Sequence, residues 1–252
     1  MLIGGYLLYA LVMVIAHPHF IYPFGADRFD NPAFEQDVVS DRNVTMAVAR
    51  GTEPLAVLYF MGNGGSLVYF TFSLAAHQSQ GRTVAAMAYP GGGGVAGSPS
   101  EVRLKADAVA AYDWLAAHHA GPIAVHGFSL GTGLAIHVAA RRPVAAIILD
   151  APYARMCELM TKASYLPACF LPGVQRWDSA ADVPALSAPV LIQHGTADRL
   201  IPIDNGRRLA ALMRQSGLNV IFDAVDGATH NNLDGQQGYQ GRINAFLDAL
   251  PD

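Results

Sequence analysis

Apolar and polar positions follow one another in blocks along this chain. Short apolar runs occupy residues 55–61 (LAVLYFM), 83–89, 122–126, 144–149, 189–194 and 219–225. Each reads as a buried strand, because it is brief, rich in Val, Ile and Leu, and set between turn-forming residues. Longer segments of mixed polarity lie between them, at 66–80, 98–118, 131–141, 203–216 and 237–250, and these read as helices. Ser98-Pro99-Ser100-Glu101 gives the second of them a start signal, with a serine cap, an early proline and an early acid. Strands alternating with helices predict βαβ units, hence an α/β fold with a mostly parallel central sheet and helices on both faces.

Two segments break the alternation. Residues 152–186 are proline-rich, hold both cysteines and carry only a weak helical pattern. They are too long for a plain loop in a compact domain and are expected to form a small lid inserted between the fourth and fifth of these strands. Cys157 and Cys169 both fall in it. The sequence leaves open whether they pair, as an oxidising compartment would allow, or remain small buried thiols. At the other end, Leu2–Ala16 is uncharged and mostly apolar, and the first charged side chain is Asp27. A helix of that length reaches about 22 Å, short of a hydrocarbon core of about 30 Å, but continuation through His17–Tyr22 adds length and interfacial aromatics. Residues 1–24 are therefore expected to anchor the chain to a membrane. A cleaved signal ending near Ala16 and a packed soluble helix are the alternatives. The protein is thus expected to be membrane-associated or exported rather than cytoplasmic. All three readings put residues 1–24 outside the catalytic chemistry and make residues 25–252 the main domain.

Composition narrows the function classes. Charged residues are 14% of the chain, against about 25% in an ordinary soluble domain. Sixteen Lys and Arg are outnumbered by twenty Asp and Glu, with no basic block, so nucleic acid is not an expected partner. Only one stretch approaches spanning length, which excludes a polytopic membrane protein. Two cysteines cannot build a disulfide scaffold or a four-thiolate zinc site. Of 25 glycines, eleven fall in 62–65, 91–97 and 127–133, which marks those three loops as site-forming.

The candidate chemistry lies at the strand ends. Gly127-Phe128-Ser129-Leu130-Gly131 has the form G-x-S-x-G between an apolar strand and a helix. In that setting the pentapeptide makes a sharp turn that presents the serine hydroxyl at the carboxyl edge of the sheet. The Leu130 N–H, at the helix start, is suited to stabilise a developing anion. A serine nucleophile needs a base, and the base needs an orienting acid. Among nine histidines, His230 lies in the polar loop 226–232 after the last strand, from which a ring reaches the serine across the sheet edge. His126 reads as buried in its strand and His194 as a strand end. The others lie on helices or in the N-terminal segment, where a structural role is the default. Asp198 follows the strand 189–194 and completes the chain order Ser, Asp, His; Asp150, at the end of the strand before the lid, is the rival acid. Met61-Gly62-Asn63-Gly64-Gly65 is expected to supply the Asn63 N–H as a second oxyanion donor beside Leu130. It lacks the Gly-Lys-Ser/Thr ending of a phosphate-binding loop. His17-x-His19 and His118-His119 have no clustered acids, so no metal is expected, and the serine chemistry needs no cofactor.

With these motifs in place, the chain resembles the α/β-hydrolase superfamily over about residues 36–250. Within it, the resemblance is to the lipase and depalmitoylase branch of ABHD-type proteins and their bacterial relatives, many of which carry an amino-terminal membrane segment. The matching pieces are Gly62–Gly65, Gly97-Ser98-Pro99-Ser100-Glu101, Gly127–Gly131, Trp177-Asp178-Ser179, Pro189–Pro202 and Gly227-Ala228-Thr229-His230-Asn231. The resemblance implies an α/β-hydrolase fold and a serine hydrolase acting on an ester or thioester, with Ser129 as nucleophile, Asp198 as acid and His230 as base. Two departures stand out. Met61 occupies the place of a usual histidine, and Tyr89–Gly97 (YPGGGGVAG) lacks the arginine, tyrosine and serine common there. That glycine loop is expected to be less polar and more mobile, which leaves the substrate class open. The apolar lid and the uncharged loop favour an apolar acyl chain, such as a lipid or fatty ester, as the small-molecule substrate. The alternatives are a catalytically silent hydrolase-like binding protein and a peptidase or amidase of the same fold.

Overall fold

A computed structural model describes residues 2–39 and 42–250. Eight strands form one sheet: β1 (Glu35–Val39), β2 (Val44–Ala49), β3 (Ala56–Phe60), β4 (Thr83–Met87), β5 (Ile123–Phe128), β6 (Ala146–Asp150), β7 (Val190–Gly195) and β8 (Val220–Val225). Their spatial order is β1-β2-β4-β3-β5-β6-β7-β8. All pairings from β4 to β8 are parallel, and the two at the β1–β2 edge are antiparallel. Strands β3 to β8 are the six that the apolar runs predict. The edge hairpin is not among them: β1 (EQDVV) is exposed along most of its length and carries no apolar run, and in the buried β2 (VTMAVA) Thr45 breaks the apolar residues.

The helices are α1 (Leu2–Ile21), α2 (Thr71–Gln78), α3 (Glu101–His118), α4 (Leu130–Ala139), α5 (Met156–Ser164), α6 (Asp204–Gln215) and α7 (Tyr239–Asp248). The Ser100 hydroxyl caps α3 by accepting the Arg103 N–H at 3.2 Å. The helix expected over 66–80 is divided: a 3-10 turn at Leu67–Phe70 precedes α2. Helix α4 is buried at nine of its ten positions, which matches its almost uninterrupted apolar sequence.

Topology fixes where a site can form. After β3 the chain pairs first with β4 on one side and then with β5 on the other. The loops leaving β3 and β5 therefore diverge and open a crevice at the carboxyl edge, the usual ligand position in such sheets. Asn63 lies on the first loop and Ser129 on the second.

Between β6 and β7 the chain makes the excursion that the sequence marks as a lid. Its base is closed by an Arg155–Asp178 bridge and by N–H donation from Met156 to the Trp177 carbonyl (3.2 Å) and from Cys157 to the Arg176 carbonyl (3.1 Å). It contains α5, which the weak helical pattern conceals, and a disulfide between Cys157 and Cys169, their Cα atoms 4.9 Å apart.

Helix α1 spans about 30 Å by its twenty residues. Among the described residues it is the one helix long and apolar enough to cross a membrane, with mean hydropathy 1.4. Ile3, Leu7, Leu11 and Ile15 are exposed, while His17 and Ile21 are buried against the domain. The docking is specific. Tyr9 donates to the Ser164 carbonyl at 2.9 Å, and His17 Nε2 accepts the Gln175 N–H at 3.0 Å. Just beyond the helix, Tyr22 donates to Gln175 Oε1 at 2.5 Å and accepts from Trp177 Nε1 at 3.0 Å.

The glycine loop at 91–97 differs from expectation. It lines neither of the two cavities described below. Its glycines permit close backbone contact: a Cβ on Gly92 would lie 2.2 Å from the Gly65 carbonyl oxygen, and the Gly93 N–H donates to the Gly25 carbonyl at 2.8 Å. The loop is thus tied to the segment that follows α1 rather than open over the site.

Candidate active site

Ser129 sits between β5 and α4 with φ 51° and ψ −115°. A non-glycine residue there is strained, at a cost of about 1–3 kcal/mol. The flanking glycines follow from this turn. A Cβ on Gly127 would meet the Gly131 carbonyl oxygen at 2.4 Å, and one on Gly131 would meet that of Phe60 at 2.0 Å. The turn holds the serine side chain just outside β5 and starts α4 at Leu130, whose N–H is one of the first-turn donors a helix leaves unpaired.

The structure brings together the three predicted side chains from three loops. His230 Nε2 lies 2.9 Å from Ser129 Oγ, and His230 Nδ1 lies 2.8 Å from Asp198 Oδ2. All three residues are buried. The other carboxylate oxygen of Asp198 accepts the N–H groups of Leu200 and Ile201, each at 2.9 Å. Burial would raise the Asp198 pKa, but hydrogen bonds from His194 and His230, the nearby His230 charge and the Ile201 N–H outweigh it and hold the carboxyl well below the usual range. Asp198 is thus ionised wherever the fold is intact at ordinary pH, and it orients the imidazole with Nδ1 protonated.

His194 is a contact that sequence reading passes over. Its Nε2 donates to the Ile201 carbonyl at 2.8 Å and lies 3.5 Å from Asp198 Oδ2. The signal was the spacing His194-Gly195-x-x-Asp198, which returns the carboxylate over the ring. The rival acid, Asp150, is engaged elsewhere. It accepts from His126 Nε2 at 2.7 Å, from Gln193 Nε2 at 3.4 Å and from the Tyr239 hydroxyl. His126 Nδ1 in turn accepts from His77 Nε2 at 2.9 Å. Burial, His126 and Arg82 hold the His77 pKa well below its ordinary value, which keeps that ring neutral.

Two cavities meet at Asn63 and Leu200. The larger, about 450 Å³, contains Ser129 and Leu130 and is otherwise mostly apolar. Its walls come from α5 (Met156, Leu159, Met160) and from α1 (Met13, Val14, Ile21). The N-terminal segment therefore does not stand apart from the candidate site, as the sequence suggests, but forms part of its wall. The smaller, about 300 Å³, contains His230 and is lined by more polar groups. Asn63 borders both.

Among the described residues no group of three or more His, Cys, Asp or Glu side chains is arranged to hold a metal ion. Three of the four histidines with ligand-like spacing have other partners. His17 Nδ1 donates to the Val14 carbonyl, His118 Nδ1 to that of Trp114 and His119 Nε2 to that of Pro54.

A mostly parallel eight-stranded sheet, with a strained serine at the β5–α4 turn and histidine and aspartate on later loops, defines an α/β hydrolase. Solved structures agree on the fold. An esterase of Pyrococcus furiosus superposes with a TM-score of 0.72 at 17% identity, covering 90% of this chain and 97% of its own. An esterase of Thermogutta terrifontis gives 0.65 at 20% identity, covering 86% and 92%. Residues 93–242 match the dienelactone hydrolase family, and the chain belongs to that family within the α/β-hydrolase superfamily. An uncharacterized protein of Mycobacterium tuberculosis is 33% identical over 199 residues, which is 77% of this chain and 68% of the relative. The lysophosphatidylserine lipase ABHD12 of Danio rerio is 31% identical over 186 residues, and the match spans 64% of this chain and about half (47%) of that protein. The family and the esterase neighbours together support a hydrolase of esterase type.

Proposed function

We propose that this protein is a serine hydrolase that cleaves an ester or thioester with an apolar acyl chain. The observation that carries the reading is the pair of contacts at His230, 2.9 Å to Ser129 Oγ on one nitrogen and 2.8 Å to Asp198 on the other. In the mechanism, Ser129 Oγ attacks the acyl carbonyl carbon while His230 Nε2 takes its proton. The oxyanion is received by the N–H groups of Asn63 and Leu130, each such donor being worth about 3–4 kcal/mol of transition-state stabilisation. Collapse forms the acyl-enzyme, and His230 returns the proton to the departing oxygen or sulfur. Water, activated by the same ring, then releases the acid. Asp198 keeps the ring oriented and stabilises its charged form.

The apolar lining of the larger cavity supports an aliphatic acyl group. The relative named as a lysophosphatidylserine lipase supports a single long acyl chain as the acid half of the ester. The lid assigned to 152–186 and α1 together enclose that chain. The exposed apolar residues of α1 hold the enzyme at a lipid surface, from which such a substrate is drawn.

The test is a fluorophosphonate probe combined with a p-nitrophenyl ester assay. Wild type should be labelled and active, and Ser129→Ala should lose both, kcat falling by on the order of 10⁶. No labelling of wild type, or equal labelling of Ser129→Ala, overturns the reading.

A further inference from the structure

Building on the ester-hydrolase reading above, we infer that the smaller cavity receives the alcohol half of the ester and selects an alcohol without negative charge. Placement comes from the proton path. As Ser129 Oγ bonds to the acyl carbon and the carbon–oxygen bond to the alcohol breaks, the electron pair stays on the alcohol oxygen. His230 Nε2 delivers to it the proton taken from Ser129. The alcohol must therefore leave on the His230 side. His230 lines the smaller cavity, whereas Ser129 and the apolar walls belong to the larger one. The two spaces meet at Asn63, so an ester carbonyl held there would extend its acyl chain one way and its alcohol the other.

Charge gives the selectivity. The smaller cavity has two carboxyl groups on its wall, Asp150 and Asp234, and no Lys or Arg. Asp150 is fully buried and spends its acceptor capacity on His126, Gln193 and Tyr239, so it contributes field rather than a free contact. Asp234 is half-buried, and its carboxyl is pushed up first by burial and then by the charge of Asp150, with no basic group among the influences on it. An incoming phosphate or carboxylate would lose its water and face two acidic side chains with no Lys or Arg on the wall to pair with it. Hydroxyl groups find acceptors at Asp234 and Asn231, and a cation finds opposite charge beside the rings of Tyr59, Phe70 and Phe128.

The experiment uses one acyl chain on four leaving groups: 1-decanoylglycerol, decanoylcholine, 1-decanoylglycerol 3-phosphate and p-nitrophenyl decanoate, with the full-length protein in one detergent. Expected is a kcat/KM for the glycerol or the choline ester at least about tenfold above that for the glycerophosphate ester, as like-charge contact disfavours the latter. Asp234→Asn should narrow that ratio and Asp234→Lys should reverse it. Asp234→Asn separates the two favoured alcohols, because a cation's preference falls with the charge while a polyol keeps an acceptor. A glycerophosphate ester cleaved within threefold of the glycerol ester, or a ratio that Asp234→Lys leaves unmoved, overturns the inference while p-nitrophenyl decanoate still reports an active serine hydrolase. No Ser129-dependent cleavage of any of the four overturns the ester-hydrolase reading as well.

Discussion

Val14→Phe should shorten the acyl chain that the enzyme prefers. Val14 lies on α1, lines the larger cavity and is partly buried, with its Cγ1 near Gly173 of the lid segment. Phenylalanine adds about four side-chain carbons at that wall, displacing a similar number of chain carbons from the cavity. At about 0.8 kcal/mol for each methylene left in water, the loss for a chain that fills the cavity is about 3 kcal/mol, or roughly 200-fold in kcat/KM. Acetyl and butyryl esters, which do not reach the wall, should change by less than about threefold. The assay is kcat/KM across p-nitrophenyl esters from acetate to laurate. Leu8→Phe, on the exposed face of the same helix, serves as the control for any effect on membrane or micelle binding. An unchanged chain-length profile in Val14→Phe, or the same shift in Leu8→Phe, refutes the assignment of α1 as an acyl-cavity wall.

Asp198→Asn should lower kcat by about 10⁴-fold with little change in fold, because the amide cannot hold the His230 tautomer; near-normal kcat would exclude Asp198 as the orienting acid. The same substitution has a pH signature in urea unfolding. A carboxyl depressed in the folded state contributes stability above its unfolded pKa of about 3.8 and loses it as pH falls toward the folded value, so the stability gap between wild type and variant should shrink from pH 6 to pH 3, and a gap that widens contradicts this. Replacing Cys157 and Cys169 together by Ala should destabilise the excursion they close by about 3 kcal/mol, read as earlier proteolysis within 155–178, with KM for long-chain esters rising more than kcat falls; unchanged protease resistance would count against a structural staple. Gly131→Ala should cost about 3 kcal/mol through its clash with the Phe60 carbonyl, whereas Gly241→Ala, with nothing within 4 Å, should raise Tm slightly; equal effects would argue against the close approach at the serine turn.

Strands β3 to β7 were legible because each is buried on both faces and therefore reads as a near-continuous apolar run, β3 (AVLYF) and β6 (AIILD) most plainly, while β8 is only partly buried but still shows Val220-Ile221-Phe222. Strand β1 was not, since its exposed, mostly polar EQDVV has no such run to display. The serine turn and the loops bearing Asp198 and His230 were legible because their chemistry is local: a glycine two places either side of the serine, and polar residues at strand ends. The wall of the larger cavity was hidden for the opposite reason. Val14 and Gln175 are far apart in sequence, and nothing local signals that His17 will accept a hydrogen bond from the Gln175 N–H. The same hydropathy that makes α1 long and apolar enough to cross a membrane also suits it to line an apolar cavity, so composition alone could not separate the two roles. The polyglycine stretch at 91–97 misled similarly, because glycines that permit close packing and glycines that open a site have the same sequence signature.

Asp150 and Asp198 each end or follow a neighbouring parallel strand, and their different employment explains how the serine can be both strained and stable. Asp198 is turned toward His230 by two N–H donors from Leu200 and Ile201, which fix one oxygen and leave the other for the ring. Asp150 instead supports the turn itself. Its carbonyl accepts the Ser129 N–H at 2.9 Å, while its side chain is held from behind by His126, Gln193 and Tyr239. On the other side of the turn, the Ser129 carbonyl accepts from Thr132 N–H at 3.0 Å and from the Thr132 hydroxyl at 2.6 Å. Three such bonds, at about 1 kcal/mol net each, match the roughly 1–3 kcal/mol that a serine at φ 51° costs. The backbone conformation that aims the hydroxyl at His230 is thus held from both sides, by the main-chain carbonyl of Asp150 and by Thr132.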